Sequence, residues 1–272
     1  MMKEVFFHVG LGKVASTYLQ YAFFPKLKGL RYIQRTKYQK SPFIIKKSSE
    51  GRYLVSREFD QQLEEECRWF SSFFPETGVI IIFRRHDSWI ASQYRRFVKN
   101  GESLSFRQFI DVEEDTGWWK KDDLNFYHKI EIVKKYFPKK EPLILFYEDL
   151  KERPLEFFNK IAAYTESTFE QESISLDKIH TSYNEKQLKV IRSISGFLFK
   201  QKPKFSKIRF FRWLQRRSRL LACYLILYPA ALIPKSWVSK KPLIDPVELE
   251  MVRDYFKEDW EKLRNYVNQQ NL

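Results

Sequence analysis

Only two cysteines occur in the 272 residues, Cys67 and Cys223, far apart and with no CxxC or Cys/His spacing. That scarcity excludes a disulfide framework and a structural zinc site, and it points to a reducing compartment. Long hydrophobic runs are missing as well. The longest uncharged apolar stretch, Leu220 to Pro234, has 15 residues and carries Pro229. It falls short of the roughly 18 residues that cross a bilayer and is expected to be buried or interfacial. The N-terminus passes from Met1-Met2-Lys3-Glu4 directly into an apolar strand, without the apolar core and small-residue cleavage site of a signal peptide. A cytoplasmic location is therefore expected. No internal repeat and no low-complexity linker interrupts the chain.

Acidic residues are also in short supply. Asp and Glu number 34 against 49 Lys and Arg, a formal charge of +15, so the surface favours anionic partners: nucleotides, nucleic acids, acidic glycans or an anionic membrane. Residues 200–219 contain nine Lys or Arg and no acid, immediately before the apolar run Leu220 to Pro234. This juxtaposition suits a basic amphipathic element lying on an anionic membrane. Residues 200–234 are thus candidates for peripheral contact with the inner face of a membrane. A solvated basic helix leading into a buried one fits the same pattern.

What is present is core material. Hydrophobic residues make up 43% and aromatics 17% of the chain, which argues for a packed domain and against disorder. Four short runs read as strands: Val5-Phe6-Phe7-His8-Val9, Tyr53-Leu54-Val55-Ser56, Val79-Ile80-Ile81-Ile82-Phe83 and Leu143-Ile144-Leu145-Phe146-Tyr147. Helically spaced segments lie between them, such as Leu124, Tyr127, Ile130 and Val133. Continuous apolar strands alternating with helices predict an α/β fold with a parallel sheet covered on both faces. After about residue 185 the pattern becomes helical, predicting a helical C-terminal extension.

In such sheets chemistry sits where strands end. The first exit reads HVGLGKVAST, residues 8–17. Gly10 and Gly12 offer backbone freedom, Lys13 a cation, and Ser16 and Thr17 two hydroxyls opening a helix predicted to run to about Phe24. Those are the parts of an anion site, although a glycine turn with a surface lysine has the same letters. The order departs from GxxxxGK[ST], because Val14 follows the lysine and no glycine sits five residues before Gly12, which disfavours a metal-dependent phosphoryl transferase. The second exit reads FRRHDSWIASQY, residues 83–94. Arg84 leaves the strand and Ser92 follows eight residues later, a pair suited to clamp a second phosphate.

Together these segments resemble the sulfotransferases that use 3′-phosphoadenosine 5′-phosphosulfate (PAPS). HVGLGKVAST followed by YLQ is similar to their 5′-phosphosulfate loop, GxPKTGTTxLQ. FRRHDSWIASQY resembles their 3′-phosphate motif, PLILFYEDLKERP a third segment, and HTSYNEKQLKVIR a downstream stretch of bacterial members. The similarity runs in register from about residue 4 to 195. It implies a P-loop-like, sulfotransferase-like α/β domain over 1–195, with 196–272 a basic and apolar helical extension packed on it.

The resemblance further implies transfer of the PAPS sulfuryl group to a hydroxyl or amine, with no metal. Lys13, Ser16 and Thr17 would hold the 5′-phosphosulfate, with Gly10, Gly12 and Ala15 shaping the loop; Arg84 and Ser92 would hold the 3′-phosphate. Ala15 stands where the family has glycine, so it must accept a glycine-like backbone. His86 stands where a proline is common. For the base that deprotonates the acceptor, Glu58 is the first candidate, since Ser56-Arg57-Glu58 follows a strand onto the same sheet edge and similar bacterial members carry SxE there. His8 is the second. Trp118 or Trp119, but not both, could stack on a sugar. Glu148 and Asp149 are expected to orient loops.

The acceptor suggested is a carbohydrate or glycolipid. Two other readings stay open: a nucleic-acid-binding protein using the basic surface, which lacks any RRM, KH or helix-turn-helix signature, and a non-catalytic membrane-surface protein.

Overall fold

The computed structural model describes residues 3–175, 183–199 and 206–270. In chain order the elements are β1 (Glu4–His8), α1 (Ser16–Tyr18) continuing as a π-helical turn (Leu19–Phe23), β2 (Arg31–Ile33), α2 (Ser41–Lys47), β3 (Arg52–Ser56), α3 (Leu63–Ser71), β4 (Gly78–Phe83), α4 (His86–Lys99), α5 (Phe106–Phe109), α6 (Phe126–Tyr136), β5 (Leu143–Phe146), α7 (Tyr147–Glu152), α8 (Pro154–Tyr164), α9 (Glu185–Leu198), α10 (Arg209–Ala230), α11 (Pro246–Tyr255) and α12 (Lys257–Gln270).

All five strands are parallel, in the order β2-β3-β1-β4-β5. Uncharged β-branched sequence explains β4, whose six residues are all buried. Successive side chains on a strand point to opposite faces, and β1 shows what each face meets. Phe6 lies edge-on to Tyr164 of α8, with ring centroids 5.7 Å apart, while Phe7 packs on Phe70 of α3 at 4.3 Å. Helices therefore cover both sides, as continuous apolar strands require.

The strand order fixes where ligands go. From β1 the chain first builds one half of the sheet, then crosses back to place β4 on the other side of β1. That reversal is a topological switch point, and the crevice outside the carboxyl ends of β1 and β4 is the ligand position in such sheets.

By contacts the chain divides into two units: residues 1–85, 122–179 and 256–272, and residues 86–121 and 180–255. This division does not follow the linear boundary at residue 195. The first unit holds the whole sheet, and α12 belongs to it. Asp259 of α12 accepts hydrogen bonds from the Phe126 and Tyr127 amides at the start of α6, at 3.0 and 3.1 Å, and Trp260 lies edge-on to Phe146. The second unit is helical: α4 packs on α9 and α11, and α9 on α10.

Candidate functional site

The loop after β1 is pinned from beneath. Val9, Leu11 and Val14 are fully buried, while Lys13 between them is exposed. Positive φ angles fall on Lys13 (70°) and on Ala15 (64°), and neither Gly10 nor Gly12 takes one. Ala15 thus adopts the left-handed backbone expected of it. The two glycines serve other purposes. A Cβ on Gly10 would stand 2.6 Å from Nε2 of His8, so the glycine makes room for a core side chain. Gly12 donates its amide to Oδ1 of Asp60 at 2.8 Å, and Ser16 donates its hydroxyl to the Leu11 carbonyl at 2.9 Å. Thr17, on the first helical turn, is half-buried. Left-handed backbone at non-glycine residues costs on the order of 1–2 kcal/mol each and clusters at functional loops. Alternating backbone sense also turns successive amides toward one concavity, a setting for an anion.

The exit of β4 meets this loop. Nη1 of Arg84 donates to the Lys13 carbonyl at 3.3 Å, and the guanidinium lies 4.6 Å over the Tyr147 ring. Tyr147 and Glu148 begin α7, directly after β5. Glu148 accepts a hydrogen bond from the Arg85 amide at 3.1 Å, so the acid after β5 orients the turn after β4. Ser92 is half-buried on α4, in the second unit. In that unit too, Trp118 is about half exposed and packs against Phe97, with ring centroids 5.9 Å apart, whereas Trp119 is buried against Trp89.

Beside the loop, β1 and β3 carry a buried polar cluster. Pairing sets His8 next to Ser56, and the imidazole Nδ1 lies 2.8 Å from the serine Oγ, which also accepts from Nε2 of Gln20 at 3.0 Å. His8 is fully buried, and its Nε2 has no partner among the described residues. The backbone extends the pairing beyond β3, with Arg57 N–H donating to the His8 carbonyl at 3.0 Å and Phe59 N–H to the Gly10 carbonyl at 3.3 Å. Phe59 turns into the core against Phe7, so alternation directs half-buried Glu58 to the opposite side, that of Ser56. Burial, with smaller contributions that include the nearby Glu58 carboxylate, pushes the Tyr32 phenol above its usual range.

Burial holds the His8 imidazole far below its ordinary 6.5, at about 3. Between those values the unfolded chain binds a proton at this position and the folded chain does not, so stability falls as pH falls from 6.5 toward 3. The slope from this group approaches about 1.4 kcal/mol per pH unit. Denaturant titrations on either side of pH 6.5 should show it, and a His8→Phe chain should lose it. An unchanged slope in that variant would mean that the imidazole is solvated in the folded state. As placed, His8 is a core residue, with no surface through which an acceptor hydroxyl reaches it.

No protein-family model matches the sequence, and a comparison with curated proteins finds none similar. Among solved structures, a sulfotransferase from Alicyclobacillus acidocaldarius aligns with 75% of this chain and 98% of its own, with a TM-score of 0.50 at 12% identity. The chain has the sulfotransferase fold. A second similar structure, mouse sulfotransferase SULT7A1 complexed with PAP, has a TM-score of 0.39 at 12% identity, over 63% of this chain and 61% of its own.

Within this sulfotransferase fold, the sheet unit brings Lys13, Ala15, Ser16, Thr17, Arg84 and Glu58 to the ends of β1, β3 and β4. Residues that sequence reasoning passed over complete the setting. Asp60 holds the Gly12 amide; its signal was an acid just beyond a strand that neighbours the glycine loop. Tyr147 under Arg84 had none. Near Asp60, Lys129 of α6 is buried, which lowers the pKa of its ammonium, while the carboxylates of Asp123, Asp60 and Asp259 oppose that shift.

Proposed function

We propose that the protein transfers the sulfuryl group of PAPS to a hydroxyl or amine of a carbohydrate or glycolipid. The observation that carries this reading is the meeting of Arg84 and Lys13, from the ends of β4 and β1, within one hydrogen bond at the topological switch point. Lys13, the loop through Gly10, Gly12 and Ala15, and the hydroxyls of Ser16 and Thr17 hold the 5′-phosphosulfate; Arg84 and Ser92 hold the 3′-phosphate. In the reaction the acceptor oxygen or nitrogen forms a bond to sulfur as the bond from sulfur to the 5′-phosphate oxygen breaks. The acceptor's proton passes to Glu58, and adenosine 3′,5′-bisphosphate leaves. Positioning and charge neutralisation supply most of the rate in such in-line transfers. The reading invokes no metal.

Calorimetry with adenosine 3′,5′-bisphosphate tests the donor site. The wild-type chain should bind it, Arg84→Ala should bind about 10–100-fold more weakly through loss of a charge-assisted contact, and Ser92→Ala several-fold more weakly. Binding of an oligonucleotide at physiological salt, with none of the bisphosphate, would overturn the proposal in favour of a nucleic-acid-binding protein. Transfer of labelled sulfate from PAPS into extractable lipid or polysaccharide then identifies the acceptor class.

A further inference from the structure

The charge of the chain is not spread over it. Between Glu185 and Asp245 there are 15 Lys and Arg and no Asp or Glu, so the rest of the sequence, with 34 basic and 34 acidic residues, is neutral. The entire formal excess belongs to one segment of the second unit. That segment contains α10, 22 residues long.

Helix α10 has two apolar faces. Cys223, Leu227 and Ala230 are buried in the unit, and on that side Arg219 ties the helix to the Glu102 carboxylate and the Gly101 carbonyl, at 2.8 and 3.0 Å. On the opposite side Phe210, Leu214, Leu221, Leu225 and Tyr228 follow one another at helical spacing, with Leu232 just past the end. All six are exposed; Leu225 is 68% and Leu232 86% accessible. The turns from Phe211 to Ser218 bury no side chain. Exposed Arg217 borders the apolar row, with half-exposed Trp213 stacked on Phe210 beside it, whereas exposed Arg212 and Arg216 fall on the other side of the helix; Trp237, past its end, is 81% accessible. A contiguous apolar surface of this kind marks a docking site.

We propose that this face of α10 docks the protein on the anionic cytoplasmic leaflet of a membrane. The apolar row enters the boundary between headgroups and acyl chains, Arg217 at its edge faces lipid phosphates, the tryptophans sit at headgroup level, and the unbalanced positive segment as a whole draws the helix to an anionic surface. Charge selects this occupant. A second copy would bring the same unbalanced positive segment against itself, and a nucleic acid would match the arginines while leaving the apolar row in water. No described helix is long and apolar enough to cross a membrane, so the contact is peripheral.

Co-sedimentation of the full chain with phosphatidylcholine vesicles, with and without phosphatidylserine, tests the proposal. Wild type should pellet with the anionic vesicles and stay in solution with the neutral ones. Each arginine near an anionic surface is worth roughly fivefold in partitioning, so Arg217→Gln should weaken binding by about fivefold. Leu221→Asn, Leu225→Asn and Tyr228→Asn combined should weaken it at least as much while helicity is kept, because all three side chains are exposed. Brominated lipid should quench part of the wild-type tryptophan emission. Equal binding to both vesicle types, undiminished binding by the apolar-row variant, or a lipid-free dimer that this variant dissolves would each overturn the proposal. Affinity for adenosine 3′,5′-bisphosphate should be the same in all variants, which separates this surface from the donor site.

Discussion

Under the proposed function, Lys13→Ala should lower the rate of sulfuryl transfer from PAPS by about 10²–10³-fold, the usual cost of removing one donor aimed at charge that develops on a leaving group. The side chain is exposed at the crest of a loop whose neighbours Val9, Leu11 and Val14 are fully buried. Its removal should therefore delete a cation from the β1 loop while leaving the buried neighbours Val9, Leu11 and Val14 in place. Denaturant midpoints of the variant and wild type should agree within about 0.5 kcal/mol, as for other surface substitutions. Single-turnover assays with PAPS in excess read the loss directly. Full activity in a folded variant would remove the β1 loop from the mechanism.

Glu58→Gln separates chemistry from binding. The amide keeps the size and hydrogen-bonding reach of the carboxylate but takes up no proton, so affinity for adenosine 3′,5′-bisphosphate should stay at the wild-type value while turnover drops by about 10²–10⁴-fold. The placement behind this expectation is backbone pairing. Arg57 and Phe59 donate to the carbonyls of His8 and Gly10, and Phe59 is buried, which leaves Glu58 on the side of Ser56. Normal turnover in the variant would remove Glu58 as the base. His8, neutral through burial, would then require an opening of the core to act.

The parts of this protein that were legible in the sequence are those fixed by local chemistry. β1, β3, β4 and β5 announced themselves as uncharged runs, whereas β2 has only three residues bounded by Arg31 and Gln34 and carries no pattern. The helix expected from Ser16 to Phe24 begins where predicted. It then widens into a π turn and tightens into a 3₁₀ turn ending at Lys26, adjustments that bury Gln20 and Phe23 and have no sequence signature. The left-handed backbone of Ala15 was foreseeable from the glycine its position holds in similar loops. The role of Gly10 was not, because it depends on the rotamer of His8. Tyr147 under Arg84 and Asp259 on the α6 amides depend on residues more than 60 and 130 positions apart, where only the folded sheet establishes proximity.

The Asp60 carboxylate on the Gly12 amide amounts to an anion supplied by the chain itself. It keeps one edge of the loop in the conformation that a charged guest would otherwise have to impose, so under the proposed function donor capture would demand little ordering of this segment. Affinity then reflects contact formation more than rearrangement, and association should be fast, limited by diffusion into the crevice.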